Sequence, residues 1–256
     1  GLFLLFVASA HGNRKFLSSK FYLIFILKIK FTVENVKKCK ITDDQCMLDT
    51  ANEIVKKNDF SGLGLPPLDP LAIDKLDIEQ GGNHSVQISL KLRNVHLIGL
   101  SKAKVYKISG FQSDPNKMKL EIKMKSPLGV VKGPYKINGK VLVLPIQGNG
   151  TVTLELHNLD VTLRFLTKKV VRDGKTYMEI EKSKFRYVVT GAKVNFTNLF
   201  NGDKALGDNM NYFLNENWSI LLDELKKPIN DGFAEIFKNI MNKLFMSTPY
   251  DEIFAH

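Results

Sequence analysis

The C-terminal part of the chain carries an apolar pattern that is too long for an ordinary globular helix. Its apolar side chains recur at three- and four-residue steps, which places them on one face of a helix. They are Met210, Phe213, Leu214, Trp218, Leu221, Leu222 and Leu225, followed after Pro228 by Ile229, Phe233, Ile236, Phe237, Ile240 and Leu244. The pattern predicts one helix over residues 205–245, roughly 60 Å long. An equally long element must cover its apolar face. The apolar interior between such an element and the helix would suit the storage of an apolar molecule.

The middle of the chain predicts that cover, because its apolar residues alternate with polar ones as in half-buried strands. The alternation is clearest at residues 86–92, 118–124 and 152–156. Turn signals at Asp114-Pro115-Asn116, Ile137-Asn138-Gly139 and Asp173-Gly174 separate predicted strands of about eight to ten residues. Short connections favour an antiparallel meander, and a meander followed by a long helix gives an α+β chain.

The formal charge of +11 does not by itself indicate a nucleic-acid partner. Residues 1–32 hold five cations and no acid, so +6 remains without them. Lysines such as Lys117, Lys119, Lys123 and Lys125 alternate with apolar residues and indicate a solvated sheet face. No cluster of Lys or Arg with interleaved aromatic residues occurs, so we expect no nucleic acid partner. An apolar content of 44% argues against both disorder and a polytopic membrane protein.

Several features favour secretion. Residues 2–10 (LFLLFVASA) form a short apolar run ending in an A-x-A-like cleavage site, so we interpret residues 1–12 as a partial signal peptide. Cys39 and Cys46 are the only cysteines and favour one local disulfide in an oxidising compartment, with two buried free thiols as the alternative. Four asparagines in N-x-[ST] tripeptides are glycosylation candidates. They are Asn83, Asn149, Asn195 and Asn217.

Residues 13–32 (NRKFLSSKFYLIFILKIKFT) fit neither a signal peptide nor a mature domain. The apolar run at residues 21–27 is far shorter than the roughly 20 residues of a membrane span. We interpret the segment as an anomalous insert, for example translated intron, and an interfacial amphipathic anchor is the alternative. Peptides from this stretch in the tryptic map of the secreted protein would overturn the insert interpretation. Residues 33–256 then form a single domain.

The sequence offers no recognisable catalytic or metal site. Its histidines have no HxH or HExxH spacing. They are His11, His84, His96, His157 and His256. There is no GxSxG elbow, and Gly148-Asn149-Gly150 precedes a strand, which predicts a bend and no phosphate cradle. We therefore expect no enzymatic activity, no metal and no cofactor.

Several segments resemble the insect takeout and juvenile-hormone-binding protein family. They are the pair Cys39 and Cys46, DPL at 69–71, NVHLIGLS at 94–101, IQGNGTVTLEL at 146–156, LFNGDKALGDNMNYFLNENW at 199–218 and TPYDEIF at 248–254. The resemblance covers about residues 33–256, and the single cysteine pair is more like the takeout branch. It implies a tubular lipid-binding fold, in which a curved antiparallel sheet wraps a long C-terminal helix around an apolar tunnel. Residues 13–32 have no counterpart in the family pattern.

Together these features predict a secreted, monomeric carrier that shields a hydrophobic small molecule, such as a terpenoid hormone or a fatty acid, in a tunnel. The candidate ligand-lining residues are Ile88, Leu90, Ile122, Leu154, Leu156, Phe165, Phe213, Leu214, Trp218 and Phe233. A plain apolar core is the alternative interpretation of the same side chains. Tyr177 or Tyr187 could select a polar head group at a mouth.

Two other functions stay open at this point. The first is a defence-type protein that binds anionic membrane surfaces through its basic face. The second, weaker one is a partner-binding module with a solid core. Transient membrane contact during ligand loading is also compatible with the residual positive charge.

Overall fold

The computed structural model describes residues 36–58, 65 and 67–255, and its largest element is one antiparallel sheet of seven strands. The predictions for residues 1–12 and 13–32 lie outside the described residues. The strands are β1 (Leu71–Gln80), β2 (Val86–Ile98), β3 (Lys104–Ser109), β4 (Lys119–Val141), β5 (Leu144–Arg172), β6 (Lys175–Val188) and β7 (Gly191–Phe196).

The central strands β4 and β5 are far longer than predicted, with 23 and 29 residues. The predicted turn at Ile137-Asn138-Gly139 is wrong, because Asn138 lies inside β4, opposite Ser89 of β2 and Gln147 of β5. Pairing with a strand on each side holds this segment extended and overrides its local turn preference. The predicted turn at Asp173-Gly174 is confirmed, since it joins β5 to β6 with both residues at positive φ.

The segment Gly148-Asn149-Gly150 also lies inside β5, so the prediction of a bend there is wrong. The glycines serve a close approach of two backbones instead. A Cβ on Gly150 would lie 2.5 Å from the carbonyl oxygen of Thr197, and one on Gly148 would lie 3.0 Å from Cα of Leu199. Any larger side chain at these positions would push the chain after β7 away from β5.

Different strands flank the two ends of the long β4–β5 pair. β1, β2 and β7 are assembled around residues 130–157, whereas β3 and β6 flank residues 119–125 and 160–172. We call these parts the β1–β2–β7 half and the β3–β6 half. Each half contains its own cluster of buried apolar side chains.

The segment before β1 forms helix α1 (Asp44–Lys57). The carboxylate of Asp43 caps it by accepting a hydrogen bond from the N–H of Cys46 at 2.9 Å. A disulfide bond joins Cys39 to Cys46, as the cysteine spacing favours. The carbonyl of Cys39 accepts a hydrogen bond from the N–H of Ala255 at 2.9 Å, which ties this segment to the C-terminal end of the described chain.

The C-terminal apolar face is helical, but the prediction of one uninterrupted helix is wrong. The structure has α2 (Lys204–Glu216), α3 (Trp218–Glu224) and α4 (Lys226–Phe245), followed by the short α5 (Tyr250–Ile253). Pro228 lacks an N–H, so the carbonyl of Glu224 loses its usual helical partner. Gln80 Nε2 donates to that carbonyl at 2.7 Å, which also ties the end of β1 to the break.

Asparagine side chains from three helices bind the edges of the sheet. Each amide accepts from the N–H and donates to the C=O of the same strand residue, as a neighbouring strand would. The pairs are Asn52 of α1 with Val105 of β3, Asn211 and Asn215 of α2 with Phe196 and Val194 of β7, and Asn242 of α4 with Ile180 of β6. The helices are therefore fixed to strand edges by hydrogen bonds as well as by apolar packing.

Candidate ligand-binding cavity

An apolar cavity of about 170 Å³ lies mainly in the β1–β2–β7 half and reaches the adjoining end of the β3–β6 half, between the inner face of the sheet and helices α2, α3 and α4. The volume is the space open to the centre of a water molecule. An apolar cavity of about 150 Å³ is enough to bind benzene, so this cavity has room for a small apolar molecule.

The residues of the cavity wall occur at every second position in the strands and at three- and four-residue steps in the helices. On the strands, alternate residues face inward, such as Ile88 and Leu90 of β2 and Val194 and Phe196 of β7. The helices contribute the apolar positions of the C-terminal pattern. They are Leu214, Trp218, Leu221, Leu222, Leu225, Ile229, Phe233 and Phe237.

Most of the predicted lining residues meet at this wall. Those that line the cavity are Ile88, Leu90, Leu154, Leu156, Leu214, Trp218 and Phe233. Ile122, Phe165 and Phe213 do not line it. Ile122 and Phe165 belong to the apolar cluster of the β3–β6 half, where Phe165 is only 2% exposed, and Phe213 is a half-buried residue of α2 packed against the other cluster.

Sequence reasoning missed the part of the wall that comes from β1 and β7. Leu76 and Ile78 of β1 line the cavity, as do Ala192 and Val194 of β7. Alternation in AKVNF at residues 192–196 was an available signal. In β1 the run LAIDKLDI is interrupted by two adjacent exposed residues, Asp74 and Lys75, which hides its period of two.

Tyr187 provides a hydroxyl group in an otherwise apolar wall. Its hydroxyl donates a hydrogen bond to the carbonyl of Leu222 at 3.4 Å, and burial raises the pKa of Tyr187 to about 12. The phenol is therefore neutral at physiological pH. Among the described residues, no Asp, Glu, Lys, Arg or His lines the cavity. Tyr177, the other candidate, lies near the β5–β6 turn with the Arg172 guanidinium 4.2 Å from its ring centroid.

An aromatic cluster stands where the cavity ends. The ring of Phe185 on β6 stacks on Phe233 and Phe237 of α4, with centroid distances of 5.2 and 5.8 Å. Tyr187 lies 6.1 Å from Phe185 in the same cluster. These rings connect the sheet to the helix between the β1–β2–β7 half and the β3–β6 half.

The outer face of the sheet is charged. In the β3–β6 half, Glu121 accepts hydrogen bonds from Lys107 at 2.8 Å and from Arg164 at 2.6 Å. These bonds lower the pKa of Glu121 to about 2. In the β1–β2–β7 half, Lys91 of β2 lies directly opposite Lys136 of β4.

The glycosylation candidates differ in their surroundings. Asn83 is exposed in the β1–β2 turn, and Asn149 and Asn195 are exposed on β5 and β7. Asn217 is half-buried, and its Nδ2 donates to the carbonyl of Phe213 at 2.8 Å. A sugar on Asn217 would take one of the two hydrogens of Nδ2 and would have to fit at this half-buried position.

Other kinds of site find little support in the part of the chain that the structure describes. No three His, Cys, Asp or Glu side chains come together there in a way that could hold a metal ion. Within residues 36–58 and 67–255, no helix combines the length and the apolar character that crossing a membrane requires.

Comparison with known proteins agrees with this architecture. The family model for haemolymph juvenile hormone binding protein matches residues 21–255, so its match begins inside the segment that we interpret as an insert. The circadian clock-controlled protein daywake of Drosophila melanogaster is 31% identical over 225 residues, which is 86% of each chain. The protein of the same name from Drosophila yakuba is 28% identical over 225 residues, again 86% of each chain.

The crystal structure of Epiphyas postvittana Takeout 1 superposes on this chain with a TM-score of 0.73 and 26% sequence identity. The superposition covers 86% of this chain and 100% of the other. It confirms the predicted α+β fold of the tubular type, a curved antiparallel sheet around C-terminal helices.

Proposed function

Because the chain belongs to the haemolymph juvenile hormone binding protein family, we propose that it is a secreted carrier that shields a long hydrophobic small molecule in this cavity. The observation that carries the proposal is the wall itself. It is apolar on every side, it includes one neutral phenol, and it is large enough for a small molecule. Terpenoid hormones, fatty acids and similar lipids have the required chemistry.

Burial alone supplies enough free energy for reversible carriage. At about 0.8 kcal/mol per CH₂, a ligand of about fifteen carbons gains roughly 12 kcal/mol on leaving water. Association and ordering oppose this by several kcal/mol. The remainder corresponds to dissociation constants of about micromolar to nanomolar, which is compatible with both uptake and delivery. We propose that Ile88, Leu90 and Trp218 are among the side chains that contact the ligand.

Three features support secretion. The family takes its name from haemolymph proteins, and the disulfide between Cys39 and Cys46 suits an oxidising compartment. Asn83, Asn149 and Asn195 are exposed N-x-[ST] asparagines that could carry sugar.

The test of carriage uses Trp218, the single tryptophan of the chain, which is half-buried in the cavity wall. We expect added methyl palmitate to change its fluorescence with a saturable, one-to-one profile. The variant Ala192→Phe places a ring in the cavity, and it should abolish this response. Ala205→Phe is the matched control, because Ala205 is exposed on α2 and distant from the wall. A wild-type protein with no saturable response to apolar ligands would contradict the proposal.

One observation favours the alternative function of binding to anionic membranes. Like charges directly opposite each other in a sheet are destabilising, yet Lys91 and Lys136 occupy such a pair. Lys132 and Lys140 are also exposed on β4, four residues before and four residues after Lys136. Binding to vesicles of phosphatidylserine that weakens steeply with salt, and that Lys91→Gln with Lys136→Gln removes, would support this function. Salt-insensitive behaviour would favour carriage alone.

A further inference from the structure

At one end, the cavity stops at nearly the same level on strands β4, β5 and β6 and on helix α4. On β4 the lining ends at Met124, on β5 at Val161 and on α4 at Phe237. Met124 is the register partner of Val161, and Val161 is the partner of Tyr187 on β6. The boundary therefore runs straight across three neighbouring strands and meets α4 on the opposite side.

The stack of Phe185, Phe233 and Phe237 lies at this boundary. Phe185 is one alternation beyond Tyr187 on β6, and its ring is within 7° of parallel to that of Phe237. Its contact with both helix rings, at centroid distances of 5.2 and 5.8 Å, joins β6 to α4 at this level. We call these three side chains the phenylalanine stack.

Beyond the phenylalanine stack, the space under the sheet holds a cluster of buried apolar and aromatic side chains. Leu120, Leu163 and Phe165 there are at most 2% exposed, and Met178 and Ile180 of β6 are fully buried. Phe254 and Phe111 contact edge to face at 5.4 Å, and Tyr250 contacts Phe254 in the same manner at 5.2 Å. A ligand that reached the stack would meet the side chains of this cluster behind it.

We infer that the phenylalanine stack limits the length of the molecule that the cavity accepts, so that Phe185, Phe233 and Phe237 determine specificity. This inference rests on the proposed function, because it presumes that the cavity binds an apolar ligand. A ligand shorter than the cavity gains from each added methylene. A ligand that already touches the stack gains nothing further, because additional carbons stay in water or must displace the rings.

A homologous series of straight-chain methyl esters, from ten to twenty carbons, makes the limit measurable. Affinity should rise by about fourfold per carbon while the chain is inside the cavity, since each buried CH₂ is worth about 0.8 kcal/mol. The affinity should level off at the carbon number at which the chain meets the rings. We call this carbon number the break. The measured quantity is displacement of the apolar fluorophore N-phenyl-1-naphthylamine from the full-length protein.

Phe233→Ala is the informative variant, because Phe233 is the half-buried member of the stack and its side chain lines the cavity. Removal of the ring should move the break to chains longer by about three carbons, so that the longest esters bind on the order of 60-fold tighter than to wild type. Phe233→Trp should move the break to shorter chains. Phe213→Ala is the matched control, since Phe213 is also half-buried but does not line the cavity, and it should leave the break unchanged.

The outcomes separate this inference from the carrier proposal. Opposite shifts of the break in Phe233→Ala and Phe233→Trp, with none in Phe213→Ala, would support the length limit. Saturable ester binding with a break that is absent, or that stays fixed in both Phe233 variants, would overturn the length limit and leave carriage standing. Failure of every ester to displace the fluorophore from the wild-type protein would overturn both.

Discussion

The two halves of this molecule share one pair of long strands, yet the cavity lies mainly in one half, and the other holds a cluster of buried apolar and aromatic side chains. Both have an inward face of alternating apolar residues on β4 and β5. In the β3–β6 half, aromatic residues from distant parts of the chain, Phe111, Phe245, Tyr250 and Phe254, enter the space under the sheet. Sheet and helix alone make a tube, and whether the tube is hollow depends on what other segments insert into it.

The largest expected contrast between the halves is in stability. Leu120→Ala removes a side chain that is 1% exposed in the β3–β6 half, and we expect it to lower the free energy of unfolding by about 2–5 kcal/mol. Leu92→Ala removes the same atoms from the cavity wall, where the side chain is 5% exposed and already borders a void. Its cost should be smaller, about 1 kcal/mol. Urea titration of both variants gives the comparison, and equal losses would contradict the hollow–filled distinction.

A bound ligand should act most directly on the half that encloses the cavity. At a free concentration of about one hundred times its dissociation constant, a ligand adds about 2.7 kcal/mol to the stability of the folded chain. Amides that exchange through local opening should slow in β1, β2 and α3, which enclose the cavity, and stay unchanged in β3. The amides around the fully buried Met178 and Ile180 should slow only as far as they exchange through global unfolding. Equal slowing of the locally exchanging amides in both halves would show that binding does not respect the boundary at the phenylalanine stack.

The asparagine contacts allow a matched test of how each half is closed. Asn215 binds the N–H and C=O of Val194 at 2.7 and 2.8 Å next to the cavity, whereas Asn242 binds Ile180 in the filled half. Replacing either by Leu leaves two edge groups without that partner, at a cost of about 1–3 kcal/mol. Only Asn215→Leu should also speed ligand release in stopped-flow dilution. Equally fast release from Asn242→Leu would indicate that the contact between α2 and β7 does not control ligand release from the cavity.

The smallest effect concerns acid stability of the filled half. Since hydrogen bonds from Lys107 and Arg164 lower the pKa of Glu121 to about 2, its ionised form stabilises the folded chain above its ordinary pKa of about 4.5. That contribution disappears as the pH falls from about 4.5 to about 2. Because both partners are about half exposed, it amounts to about 1 kcal/mol or less. Unfolding of Glu121→Gln at pH 7 and pH 3 should show a deficit at pH 7 that is clearly smaller at pH 3.

The sequence predicted which faces point inward but could not predict what fills the interior. Period-two alternation placed Ile88 and Phe165 on the inner face, and it does not distinguish a residue that borders a void from one under a filled cluster. Phe165 is buried in the β3–β6 half because Tyr250 and Phe254, some ninety residues away in the chain, pack in the same cluster. That contact is a property of the tertiary fold and leaves no local pattern.

Segments that resemble the family connect parts of the fold that are distant in the sequence. Asp69 of the DPL segment accepts hydrogen bonds from the N–H groups of Gly99 and Ser101, each at 3.0 Å, and so fastens NVHLIGLS to the start of β1. The hydroxyl of Tyr250 in TPYDEIF donates to the carbonyl of Gln112 at 2.6 Å. Such hydrogen bonds need particular residues, whereas a cavity wall needs only apolar residues. The fold was therefore easier to recognise than the wall.

The central claim is that the β1–β2–β7 half carries an apolar molecule, and mass spectrometry of natively secreted protein tests it most directly. The organic extract of the purified protein is compared with an equal extract from the Ala192→Phe variant, whose cavity is occupied by a side chain. We predict one apolar molecule per wild-type chain, with a length within the limit set by the phenylalanine stack, and none from the variant. A wild-type extract without such a molecule, together with no uptake of added fatty acids or terpenoids, would contradict the account.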